Sequence, residues 1–180
     1  MRIVRSAAAI AAAFLPCACD DPPAPAAPRA LILDAQGVVF AGDDGSYDRL
    51  PFGSARATVE AMGAAAYGDG VARRAASDAC TAGAMAFTSY GPIQLGFQHD
   101  RLVGWTMRGG ADVAAEGGIA PGITRARLQR LTGLRMVPEP ALRGEFAYRT
   151  PAGEIRGVLA GSGPEAPVEA LFAGITCTGR

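Results

Sequence analysis

The chain has 180 residues, of which 49% are hydrophobic and 19% are charged, and this composition excludes a disordered protein. Its 17 basic residues, all of them arginines, balance 17 acidic residues, so the charge does not indicate nucleic acid or an anionic surface as a partner. The length suits one domain, or two small repeats that share a core.

The N-terminal 19 residues predict a secretory signal peptide. Arg2 and Arg5 precede an apolar run, Ala7 to Leu15, that is too short to span a bilayer. Leu15 and Ala18 before Cys19 resemble a lipoprotein processing site, at which Cys19 would be acylated; export without an anchor is the alternative. Residues 20–29 are rich in Pro and Ala and predict a flexible tether. We therefore expect a periplasmic protein that meets the membrane only through a lipid anchor.

The two remaining cysteines, Cys80 and Cys177, predict a disulfide. An even pair in an oxidising compartment is typically bridged. The bridge would close a loop of about 100 residues and stabilise the fold by about 4–5 kcal/mol in the chain-entropy model. The alternative, one reactive thiol and one spare, lacks a neighbouring His or a Cys-x-x-Cys motif.

Ordered structure is predicted to begin near Leu31, in a single domain over residues 30–180. Two apolar runs flank Asp34–Gly37 and predict either a hairpin or a strand followed by a helical turn. The carboxylates of Gly42–Asp48 invite a calcium interpretation, but their spacing departs from known calcium loops and favours a polar loop.

A first repeat, residues 30–110, is predicted to place a helix before an antiparallel meander. Ser54 is a candidate helix cap and Gly63 a stop signal. A weak helix or irregular connector then covers residues 64–79. Three strands are expected beyond it, at residues 85–88, 93–98 and 102–107, with turns at Gly91-Pro92 and His99-Asp100.

A second repeat, residues 111–180, is predicted to restart the cycle. Thr124 and Gly133 bound a short helix, and strands are expected at residues 144–149, 154–159 and 168–175. The predicted fold class is therefore α+β: two tandem repeats of a short helix plus a three-stranded antiparallel meander, with the helices packed on one face of the sheet.

The segment Gly122-Ile123-Thr124-Arg125-Ala126, running to Gly133, resembles the helix start of the SmpA/OmlA small lipoproteins. The order of helix and meander is similar to that of β-lactamase-inhibitor-like proteins. Both resemblances imply helices on one face of an antiparallel sheet, with the other face open for a protein partner.

The chain also resembles a group of uncharacterised exported bacterial proteins, through Leu50–Gly53, Val103–Trp105 and Ala173–Cys177. Members are sometimes labelled aspartate-semialdehyde dehydrogenase. The residues here argue against that name, because the chain is too short for such an enzyme and lacks a Gly-x-Gly-x-x-Gly unit for a dinucleotide. Neither Cys80 nor Cys177 has a recognisable nucleophile setting.

Candidate catalytic and metal-binding residues are few. His99, the only histidine, is a candidate catalytic base together with Asp100 or Asp112. A lone His in a hairpin turn, however, is typically solvated. The ligand set for a metal is missing, and we expect no catalytic, metal or cofactor site.

Trp105 is the most informative side chain of the meander. If His99-Asp100 is a two-residue turn, Gln98 pairs with Arg101 and Gln94 with Trp105. Gln94, Gln98, Arg101 and Trp105 would then share an open face and form a partner-binding surface. A core position for Trp105 is the alternative, and a different turn length would reverse the faces.

We therefore predict a non-catalytic exported protein, a cell-envelope protein-binding or assembly accessory module. One alternative is a periplasmic domain that binds a small apolar ligand or lipid in an enclosed pocket. The other is an enzyme with a polar cluster around His99.

The anchor prediction is tested by metabolic labelling with a radioactive fatty acid. Wild type should be labelled and Cys19→Ala should not, because acylation needs the thiol of that residue. Cys17→Ala is the matched control and should keep the label. Equal labelling of wild type and Cys19→Ala would contradict the anchor.

Overall fold

The computed structural model describes residues 30–42, 44–68, 70–109, 113–138, 140 and 142–177. Of these, 48% lie in strands and 14% in helices. The predicted signal peptide, the tether and Cys19 lie outside the described residues. In the part of the chain that is described, no helix is long and apolar enough to cross a membrane.

The described elements follow one another along the chain as strands interrupted by three helical segments. Their bounds are β1 Ala30–Asp34, β2 Gly37–Ala41, β3 Tyr47–Pro51, α1 Arg56–Tyr67, β4 Arg73–Ser77, β5 Met85–Tyr90, β6 Ile93–Gln98, β7 Arg101–Arg108, a 3-10 helix Glu116–Gly118, α2 Arg125–Leu128, β8 Leu134–Met136, β9 Glu145–Thr150, β10 Gly153–Leu159 and β11 Val168–Gly174.

The strands form two antiparallel sheets, one small and one large. The small sheet has the order β1-β2-β3, and the large one has the order β4-β5-β6-β7-β11-β10-β9-β8. The large sheet therefore consists of two four-stranded meanders that meet where β7 pairs with β11. We call that junction the seam.

One face of the large sheet, which we call the inner face, is covered by a second layer. The small sheet contributes Leu33, Val38 and Phe40, all of them almost fully buried. Val59 of α1 and Leu128 of α2 complete the layer, and both are fully buried. The hydrophobic core therefore lies between these two layers. Burial of each such side chain stabilises the fold by about 1.5–3 kcal/mol through the hydrophobic effect.

Trp105 of β7 connects the two layers by a directed bond. Its ring is fully buried, and its Nε1–H donates to the backbone carbonyl of Asp34 at 2.8 Å. Asp34 ends β1, and its carboxylate accepts from the backbone N–H of Gln36 and pairs with Arg49 of β3. The first hairpin is thereby fixed against the seam.

A β-bulge explains why Trp105 faces inward. The turn His99-Asp100 has two residues, both with positive φ, and Gln98 pairs with Arg101 as predicted. Val103 is then an extra residue, because Phe97 lies opposite Leu102 while Gly96 lies opposite Gly104. An extra residue reverses the two faces of a strand, so Leu95 and not Gln94 is opposite Trp105.

Helix α1 differs from its predicted bounds at both ends. Ser54 does not cap it, because the backbone of Ser54 accepts from Leu102 N–H and the N-cap position belongs to Ala55. Gly63 does not end it. This glycine is buried in the helix against the ring of Tyr90, where a Cβ would clash, and the helix ends at Gly68 with φ +91°.

The predicted α+β fold of two helix-plus-three-stranded-meander repeats with helices packed on one sheet face is wrong. The protein is mostly β, with a small sheet in the inner layer and a second helix of only 4 residues. Strands β3, β4 and β8 were not predicted, since β3 and β4 are largely exposed and show no apolar alternation. Between the two alternatives for Asp34–Gly37, the structure has the hairpin.

The chain after β11 crosses the outer face of the large sheet, and we call residues 175–177 the crossing segment. Ile175 N–H donates to the carbonyl of Val103 at 2.8 Å. A Cβ on Gly104 would collide with the Ile175 backbone, so only glycine permits this approach. The crossing segment ends at Cys177, which is bonded to Cys80 with a Cα–Cα distance of 5.0 Å. The predicted disulfide is confirmed.

Removal of this bond should lower stability without changing the fold. The bond constrains a separation of 97 residues, so Cys80→Ser/Cys177→Ser should reduce the free energy of unfolding by about 2–5 kcal/mol. Urea denaturation followed by Trp105 fluorescence measures the change. Wild type treated with reductant is the control and should match the double variant; an unchanged midpoint in both would contradict a stabilising role.

Candidate binding face

A continuous row of residues runs across the outer face of the large sheet. Each member lies directly opposite the next in the strand pairing, and the row touches all eight strands. In order its members are Arg73, Ser89, Gln94, Thr106, Phe172, Arg156, Ala147 and Arg135. We call this the outer row. It begins and ends in arginine and crosses the seam in its middle, between Thr106 and Phe172.

A groove of about 350 Å³ lies on the outer face at the seam. Its floor is apolar and is formed by Val158, Ala170 and Phe172, of which Phe172 is 7% exposed. Arg108 of β7, Arg143 of the loop before β9 and Glu169 at the start of β11 carry charges at its edge. Cys177 also lines it, so the crossing segment borders the groove.

Two arginines of the outer row are already paired. Arg156 Nη2 lies 2.6 Å from Oε1 of Glu145, and Arg135 Nη2 lies 3.4 Å from Oε2 of Glu154. Glu145 is buried because the loop before β9 folds over it, and its other oxygen accepts from Leu142 N–H at 3.4 Å. These pairs hold the loop that carries Arg143 beside the groove.

The four residues predicted to form a partner-binding face do not come together. Trp105 is buried on the inner face and is not part of any surface. Gln98 donates to the carbonyl of Ala82 at 2.7 Å, and Arg101 donates to the carbonyl of Gly53 at 3.2 Å. Gln94 alone lies exposed in the outer row. The structure therefore does not bring the four side chains onto one surface.

His99 is exposed at the tip of the turn between β6 and β7. Within the described residues no hydrogen bond joins its ring to an acid or a hydroxyl, and Asp112 lies outside them. The described residues contain no group of three His, Cys, Asp or Glu side chains that could hold a metal. In the predicted polar loop, Asp44 accepts from the backbone N–H of Ser46 at 2.9 Å, and Asp43 lies outside the described part.

A carboxylate on α1 forms the densest polar network of the inner face. Glu60 Oε1 accepts from Thr88 Oγ1 at 2.5 Å and from Arg56 Nε at 2.8 Å, and its Oε2 accepts from Arg74 Nη2 at 2.8 Å. The Arg56 guanidinium also lies 5.2 Å above the ring of Phe97. This network joins α1 to the edge of the large sheet.

The protonation of Glu60 follows from these contacts. Burial raises the pKa of this carboxyl, but the hydrogen bonds from Arg74, Thr88 and Arg56 outweigh it and lower the pKa to about 2. Because a general base needs a pKa near the operating pH, a carboxylate held this low is a poor proton acceptor. Glu60 therefore acts as a structural anion.

The chain matches no protein-family model, and no curated protein or solved structure is similar to it.

Part of the outer row has a signal in the sequence. In β10 the polar residues Glu154 and Arg156 alternate with the apolar Ile155 and Leu159, which indicates one exposed face. No local pattern predicts the groove, because it requires β7 and β11 to pair across the two meanders. Its edge residue Arg143 comes from a loop.

Glu60→Gln should destabilise the protein at neutral pH by about 1–3 kcal/mol, since a partly buried charged hydrogen-bond acceptor is lost. The folded-state pKa of about 2 lies below the unfolded value of about 4.3, so the stabilisation is present above about pH 4.5. It is lost as the pH falls toward 2, and the two proteins should converge there.

Urea denaturation between pH 7 and pH 2 measures the difference in the free energy of unfolding between wild type and Glu60→Gln. Glu154→Gln is the matched control, because its ion pair is exposed and should contribute less than about 1 kcal/mol. A difference in the free energy of unfolding that does not change with pH would contradict the lowered pKa of Glu60.

Proposed function

We propose that the protein is a non-catalytic, exported cell-envelope module that binds a protein partner on the outer face of its large sheet. One observation carries the proposal: the inner face is covered by the second layer, whereas the outer row has exposed residues on both sides of the groove, among them Gln94 and Arg156. Gln94 is exposed there, and Thr106 and Ser89 are partly exposed. A sheet face with an apolar depression and charged edges is typical of a binding surface.

The proposed location follows from the cysteines and the N-terminal sequence. A disulfide persists in oxidising compartments, so the bond between Cys80 and Cys177 supports export. The charged and apolar pattern of residues 1–19 supports a signal peptide, and Cys19 is the proposed lipid attachment site. A tether over residues 20–29 would hold the domain away from the membrane, with its sheet face available to envelope proteins.

The geometry favours a protein partner over the two alternative functions. A small apolar ligand needs an enclosed pocket, whereas the seam groove opens along the sheet and has charged edges. Catalysis around His99 needs an acid and a nucleophile within hydrogen-bond reach. In the described part of the chain the carboxylate with the most hydrogen bonds is that of Glu60, whose oxygens already accept from three side chains.

A photo-crosslinking amino acid placed at Gln94 in cells tests the proposal. Gln94 is exposed in the outer row, so irradiation should give a discrete protein adduct of defined mass. The same amino acid at Arg130, which is exposed beyond α2 on the inner side, is the matched control and should give none. An absence of adduct at Gln94, or the same adduct at both positions, would refute binding on this face.

A further inference from the structure

We infer that the seam groove holds an acidic, extended segment of the partner protein. In this arrangement a partner carboxylate lies between Arg108 and Arg143, and an apolar side chain two residues along the segment packs on Phe172. The inference rests on the proposed function and deepens it, because it assigns the chemistry of the segment that the outer face recognises.

The charged residues at the groove favour an acidic partner segment. The outer face carries the arginines of the outer row and, beside them, Arg108 and Arg149. Arg156 and Arg135 are neutralised by glutamates, but in the described residues neither Arg108 nor Arg143 is joined to a carboxylate. Among the described residues that line the groove, Glu169 is the single acid. An arginine pair at an apolar site favours a carboxylate, which accepts charge-assisted hydrogen bonds from guanidinium groups.

The width of the outer face matches the length of a short extended peptide. Neighbouring strands lie about 4.8 Å apart, so the path from β7 through β11, β10 and β9 to β8 covers about 19 Å. An extended chain advances about 3.3 Å per residue, and about six residues therefore cross from the groove to Arg135. Every second side chain of such a chain faces the sheet, so a carboxylate between Arg108 and Arg143 and an apolar side chain over Phe172 would stand two residues apart.

The shape of the floor favours a peptide over an anionic lipid surface. Phe172 is 7% exposed at the bottom of the groove, between the crossing segment and the loop that carries Arg143. A planar layer of headgroups would meet the raised edges and would not reach this ring. A single extended chain is narrow enough to enter.

A direct binding experiment uses the complete mature protein and fluorescein-labelled, end-capped hexapeptides. A Glu-Ser-Leu-Ser-Glu-Ser peptide, whose Glu and Leu side chains share one face, should bind at least about tenfold more tightly than Gln-Ser-Leu-Ser-Gln-Ser, by fluorescence anisotropy. Arg108→Gln and Arg143→Gln should each weaken binding of the glutamate peptide about tenfold, whereas Arg130→Gln should leave its affinity unchanged. Higher salt should weaken the wild-type interaction, since the charges are exposed. All three arginines are at the surface, and thermal melting verifies that the variants are folded.

Three results would overturn the inference. Equal affinity for the two peptides would contradict recognition of a carboxylate. An equal loss of affinity in Arg130→Gln would contradict binding in the groove. Tighter binding to phosphatidylglycerol vesicles than to the peptide, lost in the same two variants, would assign the site to a membrane. If the adduct at Gln94 forms but the acidic peptide does not bind, the inference fails and the proposed function stands; without the adduct the function itself fails.

Discussion

The hydrogen bond from the Trp105 indole to the Asp34 carbonyl is the contact on which the arrangement of the two sheets depends. It is buried and joins two segments far apart in the chain. A carbonyl left unpaired at this depth would cost about 1–3 kcal/mol, so the small sheet is favoured in one position over the seam. The same Asp34 also holds its own hairpin turn through Gln36 and pairs with β3 through Arg49. Hydrophobic burial is non-directional and does not specify how the small sheet lies on the large one, whereas this hydrogen bond does.

The sequence predicted much of the strand content but not how the strands assemble. Alternating apolar residues identified β6, β7 and β10, and the pairing of cysteines was correct, because these depend on local pattern or simple chemistry. The face of Trp105 was not predictable, since a single extra residue, Val103, reverses it and no local signal marks the bulge. Strand β4, with the sequence RRAAS, is recognisable only through its pairing with β5. The candidate site shares that limit, as its groove depends on the seam.

The two faces of the large sheet have different chemistry, and the strand register determines both. Residues opposite one another across the seam, such as Met107 and Leu171, face inward and are fully buried. Their neighbours Thr106 and Phe172 face outward and form the middle of the outer row. The crossing segment covers part of this face, beginning at Gly104, where the absence of a side chain admits a backbone.

The position of β11 also governs when the protein can fold. The last described strand, β11, lies in the middle of the large sheet, where Gly174 pairs with Gly104 of β7. Each meander before that pairing is a half-sheet with an open edge, and non-local pairing of this kind is slow to form. A chain that emerges N-terminus first cannot complete the centre of this sheet, or join Cys80 to Cys177, until β11 and the crossing segment have emerged. The topology thus delays completion of the large sheet until both meanders are available to pair.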